Sequence, residues 1–272
     1  FQRIRYQKVL RKMNKELEKT YIFGISHPNF AERHVYLTDH LSKITQYTWE
    51  IVGVDGHALA KTANFSKIGH SSNLSPGQIG CSLAHCVAYT RMRDLGLSVA
   101  VIIEDDVQLP NNFDAIISEV IKKIKPGEVI SLHNPMMKKN LFSSKNTEQV
   151  IDMKLYYPMS PRSIRSTSAY VISIEAALDI LAINDPVRHV ADHWDAFYDQ
   201  GCVRSYRILH PSPCRWLPSD SVIGYGAHEE LREFFKKNLL TKALIKMRRQ
   251  YIFWKRIRNV RLIDATSPLE ND

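Results

Sequence analysis

Short apolar runs alternate along the chain with segments whose apolar residues recur at helical spacing. The runs at residues 21–25 and 49–54 predict strands, and the amphipathic segment 31–41 predicts a helix. A turn is expected at the pair Asp55-Gly56. The same patterns continue downstream, with strands predicted at residues 99–103, 129–132, 169–172 and 203–209 and helices at residues 112–124 and 175–181. This alternation predicts an α/β fold.

The start of the longest predicted helix has clear capping signals. Ser75 suits the N-cap, Pro76 suits the first helical position, and Gln78 completes a capping box. The helix is expected to end near Gly96, because glycine favours helix termini.

The strand predicted at residues 99–103 is continuously apolar and is followed by Glu104, Asp105 and Asp106. An uninterrupted apolar strand is typical of a mostly parallel sheet that is covered on both faces, and such sheets bind ligands at their carboxyl ends. Because side chains alternate along a strand, Glu104 and Asp106 are expected on one side and Asp105 on the other. Two carboxylates on one side suit Mg²⁺ or Mn²⁺. The alternative is an acidic turn exposed to solvent.

Net charge divides the chain of 272 residues into distinct parts. The total is +9, yet residues 232–261 carry eleven Lys or Arg and one acid, and residues 1–19 carry seven basic residues and two acids, which leaves the remainder at −6. This division favours surface attachment through the ends over a basic nucleic-acid groove, so no nucleic-acid partner is expected. We expect a basic N-terminal helical extension (1–19), one large domain (20–230) and a basic amphipathic C-terminal helical tail (231–272).

The C-terminal tail interleaves aromatic and aliphatic residues with its positive charges, as in Phe234, Tyr251 and Trp254. Such a pattern predicts a helix that lies on an anionic membrane surface. The alternative is a solvated helix whose apolar side packs on the domain.

The four cysteines have no C-x-x-C spacing, which argues against a structural zinc site and gives no disulfide framework. A cytoplasmic setting is therefore expected, with the tail holding the protein at the inner face of the cell membrane. No apolar run reaches the length of a membrane span, and the first residues lack a signal-peptide pattern; since the sequence starts with Phe1, a leader or anchor ahead of it stays an open alternative.

Two segments together resemble glycosyltransferase family 25, the lipooligosaccharide β-galactosyltransferase-like group. Residues 75–85 read SPGQIGCSLAH and residues 101–107 read VIIEDDV, which are similar to the family's helix start and acidic strand end. The resemblance extends over most of residues 21–224 and includes Val54-Asp55-Gly56, residues 168–173, residues 186–194 and Ser219-Asp220-Ser221. Departures include Ala84 and Gln78, where the family usually has Ser and Glu.

This resemblance implies a GT-A fold, a UDP-sugar donor, a divalent metal at the acidic triplet and inversion at the anomeric carbon. The implied activity is transfer of a hexose, most simply galactose from UDP-galactose, to a sugar hydroxyl of a lipooligosaccharide, lipopolysaccharide or related glycan or glycolipid. Contacts to the donor are assigned to Asp55, Gly77, Gly80, Glu104 and Asp105. Two glycines at a helix start are weak evidence for phosphate binding by themselves.

The chemistry of such a transfer requires a cation for the departing diphosphate and a base for the acceptor hydroxyl. We assign the metal to Asp106, with Glu104 as a second ligand or a contact to the ribose, and with His210 completing the shell; an ordinary loop histidine is the alternative for His210. Asp192 is the candidate base and Asp195 the reserve. The alternative for Asp192 is a helix N-cap.

Two other classes of function compete with this hypothesis. A metal-dependent phosphohydrolase or nucleotidyltransferase would also use clustered acids, but it would need further spaced carboxylates or a nucleophilic Asp. A membrane- or nucleic-acid-binding module would rely on the basic ends alone. We expect His85, inside the predicted helix, to be a buried hydrogen-bonding residue.

Overall fold

A computed structural model describes residues 20–62, 74–134, 142–143, 145–159, 164–217 and 247. The basic segments 1–19 and 231–272 lie outside the described residues apart from Met247, and so does Ser219-Asp220-Ser221. The helices are α1 (Ala31–Ser42), α2 (Gly56–Ala60), α3 (Pro76–Asp94), α4 (Phe113–Ile121), α5 (Ile174–Asn184) and α6 (Trp194–Asp199). The strands are β1 (Tyr21–Ile25), β2 (Thr48–Val52), β3 (Val99–Glu104), β4 (Val107–Gln108), β5 (Glu128–Ser131), β6 (Glu148–Val150), β7 (Met153–Tyr156), β8 (Ala169–Ser173), β9 (Ser205–His210) and β10 (Arg215–Trp216).

One large sheet organises the described residues, with the strand order β2-β1-β3-β8-β5-β9-β7-β6. Strands β2, β1 and β3 are parallel to one another, as are β5 and β9. Strand β8 is antiparallel to both β3 and β5, and β7 is antiparallel to β9 and β6. The prediction of an α/β fold is confirmed, while the expected mostly parallel sheet is in fact a mixed one.

The strand directions bring several chain segments to one edge of the sheet. The carboxyl ends of β1, β3, β5 and β9 and the amino end of the reversed strand β8 all lie there. We call this edge, with the residues that directly follow or precede those strands, the carboxyl edge.

Apolar side chains of β3 pack on both faces of the sheet. Ala100 and Ile102 belong to a core that includes residues of α3, α5 and α6, whereas Val101 and Ile103 belong to a second core that includes residues of α1 and α4. The continuous apolar sequence of β3 therefore has the predicted cause, which is burial on both sides.

Helix α3 begins as the sequence predicts. The Ser75 hydroxyl accepts a hydrogen bond from the Gln78 backbone N–H, and the Gln78 side chain accepts one from the Ser75 N–H. The helix ends at Asp94, and Gly96 follows in the left-handed conformation with φ 64°.

The sequence-based prediction is wrong or incomplete at further places. The turn expected at Asp55-Gly56 is the start of the short helix α2, and Asp55 is its N-cap. The hairpin of β6 and β7 and the pair of β4 and β10 are absent from the predicted elements. Short polar strands such as β6 have too few apolar residues to give a period-two signal.

Helices α2 and α3 cross at a point where both backbones lack side chains. A Cβ atom on Gly80 would lie 2.6 Å from the Gly56 nitrogen and 2.8 Å from the Val54 oxygen. Gly80 therefore has a packing role, because any side chain would separate the two helices. Among the described residues, no helix is both long and apolar enough to cross a bilayer.

Candidate active site

The predicted acidic triplet lies at the carboxyl edge, where its three side chains have different partners. Glu104 is the last residue of β3, and Asp105 and Asp106 form the turn into β4. Ser26 follows β1 at the same edge, and His133 follows β5.

Asp105 is buried and tied to the neighbouring elements. Its Oδ2 accepts a hydrogen bond of 2.9 Å from the Ser26 hydroxyl, and its Oδ1 accepts one of 3.2 Å from Nη1 of Arg33 on α1. These two contacts hold the end of β3 against β1 and α1. Asp105 therefore orients the strand end, and its predicted contact with the donor stays a prediction.

Glu104 is held from the opposite side. Its Oε1 accepts a hydrogen bond from the Thr167 hydroxyl and lies 3.3 Å from Nε2 of His85 on α3. Burial by itself would raise the pKa of Glu104, but the hydrogen bonds and positive charge of His85, together with Thr167, outweigh it and lower the pKa. Glu104 is therefore kept ionised. His85 is buried and hydrogen-bonded, as the sequence predicts.

Asp106 is the carboxylate of the triplet that has a buried oxygen without a partner among the described residues. Its Oδ2 accepts a hydrogen bond of 2.9 Å from Nε1 of Trp216, while its buried Oδ1 has no hydrogen-bond partner among the described residues. Burial, followed by the charge of Glu104, raises the pKa of Asp106 to about 6. A divalent cation beside Asp106 would give Oδ1 a partner and offset the repulsion, so the residues present fit the cation that the sequence predicts.

The turn that carries Asp106 is secured by a small second sheet. Trp216 of β10 pairs with Val107 of β4, and the Leu217 backbone N–H donates a hydrogen bond of 2.8 Å to the carbonyl of Asp106. Trp216 is half exposed, with 50% of its surface accessible, so its indole ring flanks the acidic turn.

The segment Ser166–Ser168 joins the candidate base to the acidic triplet. The Ser166 backbone nitrogen lies 3.5 Å from Oδ2 of Asp192, and the Ser166 carbonyl accepts a hydrogen bond of 3.0 Å from Nε1 of the buried Trp194. At the other end of the segment, the Glu104 N–H donates 2.7 Å to the Ser168 carbonyl. Ser166 has φ 87°, a left-handed conformation that non-glycine residues rarely adopt, so these bonds fix an uncommon backbone.

Asp192 is not the N-cap of α6, so the alternative interpretation of this residue is wrong. The helix begins at Trp194 with His193 in the cap position and no side-chain cap bond. Asp195 lies in the first turn, and its Oδ1 is 3.6 Å from Nε2 of His193. The carboxylate of Asp192 is directed instead at the Ser166 backbone.

The half-buried Cys81 on α3 lies in the electrostatic field of the acids. Burial raises the pKa of the Cys81 thiol well above its usual value, and the charges of Glu104, Asp192, Asp105 and Asp106 raise it further. The charges of all four carboxylates therefore act on this one side chain of α3. The segment Ser166–Ser168 links Asp192 to Glu104, although the two acids are far apart in sequence.

The remaining predicted site residues lie less centrally. The Asp55 carboxylate caps α2 by accepting a hydrogen bond of 2.9 Å from the Ala58 N–H. It also accepts a hydrogen bond of 2.7 Å from the side-chain amide of Asn29. These bonds, with that of Ala58 first, lower the pKa of Asp55. Gly77 is half-buried in the first turn of α3. The part of these two residues in donor binding stays a prediction.

His210 ends β9 at the carboxyl edge, and its ring lies 6.3 Å from the ring of Tyr156. The ligand atoms of Glu104, Asp106 and His210 do not form a group within 4.8 Å, the spacing at which Cys81, His85 and Glu104 do. Its place in the metal shell therefore stays a prediction.

Several residues of the site are missing from the sequence-based prediction. Ser26, Thr167 and Trp216 contact the acidic triplet only through the tertiary fold. His133 is buried, its Nδ1 has no partner among the described residues, and burial lowers its pKa while the charge of Glu104 opposes the shift. The apolar run before His133 predicted the strand that carries it, and a polar residue directly after such a strand was the available clue.

Comparison with known proteins identifies the family to which the chain belongs. A sequence model of glycosyltransferase family 25, described as an LPS biosynthesis protein family, matches residues 20–194. No curated protein sequence matches the chain significantly. Among solved structures, a mannose-1-phosphate geranyltransferase from Thermus thermophilus aligns with 72% of this chain and 76% of its own, at 8% identity and a TM-score of 0.39. Similarity at that level does not establish a shared fold.

Substitution of Ser26 tests the anchoring of Asp105. Ser26→Ala leaves the buried Oδ2 of Asp105 without its donor, and we expect a loss of about 1–3 kcal/mol in the free energy of unfolding. Urea denaturation measures this loss. The control is Ser42→Ala, which removes an exposed hydroxyl at the end of α1 and should change stability by less than about 0.5 kcal/mol. Equal stabilities of the two variants would contradict the anchoring role.

Proposed function

The chain belongs to glycosyltransferase family 25 and is a glycosyltransferase, and on that premise we propose that it transfers a hexose from a UDP-sugar with inversion. The donor is most simply UDP-galactose, and the acceptor is a sugar hydroxyl of a lipooligosaccharide, lipopolysaccharide or related glycan or glycolipid. We further propose that the fold is of the GT-A type.

One observation carries this proposal: Asp192 and Glu104 are hydrogen-bonded to opposite ends of the same short segment. Ser166–Ser168 is bonded to Asp192 at its beginning and to Glu104 at its end. An inverting transferase needs both a cation site and a base within reach of the same anomeric carbon. Acids held around one segment at the carboxyl edge supply both.

We assign the cation to Asp106, with Glu104 as a second ligand or as the contact to the donor ribose. The free Oδ1 of Asp106 supports the first assignment, and the ionised, doubly hydrogen-bonded Glu104 supports the second. A divalent cation there, Mn²⁺ or Mg²⁺, would stabilise the negative charge of the departing diphosphate. His210 is proposed to complete the shell from the end of β9.

Asp105 and Asp55 are proposed to support the donor from either side of the same edge. Asp105 holds the strand end in place through Ser26 and Arg33. Asp55, Gly77 and Gly80 lie where α2 meets α3, so a donor lying along the carboxyl edge would meet the start of α3.

Asp192 is proposed as the base. It accepts the proton of the acceptor hydroxyl while that oxygen attacks the anomeric carbon from the face opposite the diphosphate, so that the new glycosidic bond has inverted configuration. Its bond from the Ser166 N–H orients one oxygen, Oδ2, and leaves Oδ1 for the hydroxyl. Asp195, one helical turn further along the chain, is the reserve candidate.

Asp106→Asn tests the cation site. We expect kcat/KM for UDP-galactose to fall at least about 100-fold in Mn²⁺, because the neutral amide binds a cation poorly and the diphosphate charge then lacks its partner. The midpoint temperature of thermal unfolding should be unchanged or slightly higher, because removing one negative charge relieves repulsion from Glu104.

The control for Asp106→Asn is Asp94→Asn at the exposed end of α3, which should have wild-type activity. Full activity of Asp106→Asn would contradict the assignment of the cation to Asp106.

A thermal-shift panel of nucleotide sugars, with and without Mn²⁺, identifies the donor, because a selective ligand raises apparent stability.

Asp192→Asn and Asp195→Asn separate the two candidate bases. Asp192→Asn should lower kcat by about 10²–10⁴-fold while donor affinity, measured by calorimetry, stays within about twofold, because a base acts in the proton-transfer step only. Asp195→Asn should retain most of the activity. The reverse pattern would move the base to Asp195, and weak donor binding by Asp192→Asn would give that residue a binding role instead.

We also propose that the enzyme works at the cytoplasmic face of the cell membrane and that the basic tail holds it there. The membrane then supplies the acceptor glycolipid. The support is the charge of residues 232–261 alone. Reversing Arg248 and Arg249 to Glu should weaken binding to phosphatidylserine vesicles at least about tenfold, at about 1 kcal/mol for each basic residue removed. Vesicles of phosphatidylcholine are the control. Equal binding to both vesicle types would contradict the proposal.

A further inference from the structure

A second group of side chains of metal-ligating types shares Glu104 with the acidic triplet. The ligand atoms of Cys81, His85 and Glu104 all lie within 4.8 Å of one another, and Nε2 of His85 is 3.3 Å from Oε1 of Glu104. Cys81 and His85 are four residues apart on α3, so both face the end of β3. Unlike the triplet, this group offers sulfur, nitrogen and oxygen.

The spacing suits a tetrahedral cation after small movements. Zinc bonds of about 2.3 Å to sulfur, 2.0–2.1 Å to nitrogen and 2.0–2.2 Å to oxygen place ligand atoms about 3.4–3.6 Å apart. The His85–Glu104 distance is already close to that range. Cys81 is half-buried and has a single flexible torsion, and its sulfur has to approach the other two ligand atoms by about 1.4 Å at most.

The surroundings of His85 favour the same interpretation. Nδ1 of His85 lies 2.8 Å from the hydroxyl of Tyr170, and that hydroxyl lies 2.6 Å from the hydroxyl of Tyr89. Metal-bound histidines almost always donate their second ring N–H to a fixed partner. Because a tyrosine hydroxyl both donates and accepts, Tyr170 can accept from Nδ1–H and leave the Nε2 lone pair free for a cation.

We propose that Cys81, His85 and Glu104 form a site for a thiophilic divalent cation such as Zn²⁺, and that a cation bound there inhibits transfer. Thiolate and imidazole ligands favour zinc over Mg²⁺ or Mn²⁺, which prefer oxygen. As the cation binds, the Cys81 thiol and Nε2 of the charged His85 each release a proton to solvent, so that sulfur and nitrogen can both bind the metal. Inhibition follows because Glu104 belongs to both sites and cannot serve the donor while it binds this cation.

The binding part of the proposal is independent of the enzyme's donor, whereas the inhibition part rests on the proposed function. Co²⁺, which replaces Zn²⁺ and absorbs light, tests the first part on the full-length protein. Titration should give one equivalent of a thiolate-to-cobalt charge-transfer band in the near ultraviolet, and Zn²⁺ should abolish that band.

Cys81→Ser should lose the charge-transfer band. The control is Cys202→Ser, which changes a buried cysteine that follows α6 in the chain and should keep the band. Tyr170→Phe should keep the band but weaken cobalt binding about 10- to 100-fold, as expected for loss of a partner to a metal-bound histidine. Thermal unfolding establishes that each variant is folded. Absence of the band in the wild type, or its persistence in Cys81→Ser, would overturn the site.

Inhibition is measured as transfer in saturating Mn²⁺ with increasing Zn²⁺. Wild-type and Cys202→Ser enzymes should be inhibited, and Cys81→Ser should retain basal activity and need at least about tenfold more Zn²⁺, as expected when one of three ligands is lost. Equal zinc sensitivity of Cys81→Ser would overturn the inhibition while the cobalt result stands. An enzyme with no transfer from UDP-sugars to any acceptor would refute the proposed function and leave the cobalt test unaffected.

Discussion

Three carboxylates in succession repel one another, and the fold around Glu104, Asp105 and Asp106 gives each of them different partners. Asp105 turns to Ser26 and Arg33, and Glu104 turns to Thr167 and His85. Asp106 has one partner, Trp216, and one oxygen without any among the described residues. The repulsion is thus relieved at two acids and retained at the third, where a cation would be bound most favourably.

The same partners connect the site to the framework of the sheet. Ser26 extends β1, Thr167 precedes β8, and His85 and Arg33 come from helices on opposite faces. Because β8 is reversed between β3 and β5, its preceding segment Ser166–Ser168 is brought to the carboxyl edge, where it also meets Asp192. A parallel strand at this position would have placed that segment at the far edge of the sheet. The reversal of β8 is therefore what joins Asp192 to the acidic triplet.

Sequence reasoning reached the features that depend on near neighbours. The capping box at Ser75, the apolar strand before Glu104 and the buried His85 have local causes, namely hydrogen bonds within one turn and burial of a continuous apolar run. It did not predict the direction of β8 or the contact between Asp192 and Ser166. Those depend on pairing between distant segments, which no local pattern encodes. The four-residue spacing of Cys81 and His85 was present in the sequence, but its third member, Glu104, comes from another element.

The central claim is that a divalent cation binds at Asp106 when the donor is present. The most direct measurement is a crystal structure of the enzyme with UDP and Mn²⁺, with anomalous scattering recorded to locate manganese. The account predicts a manganese peak within coordination distance of the Asp106 carboxylate and of the diphosphate oxygens. Diphosphate bound at the carboxyl edge with no manganese beside Asp106 would contradict it.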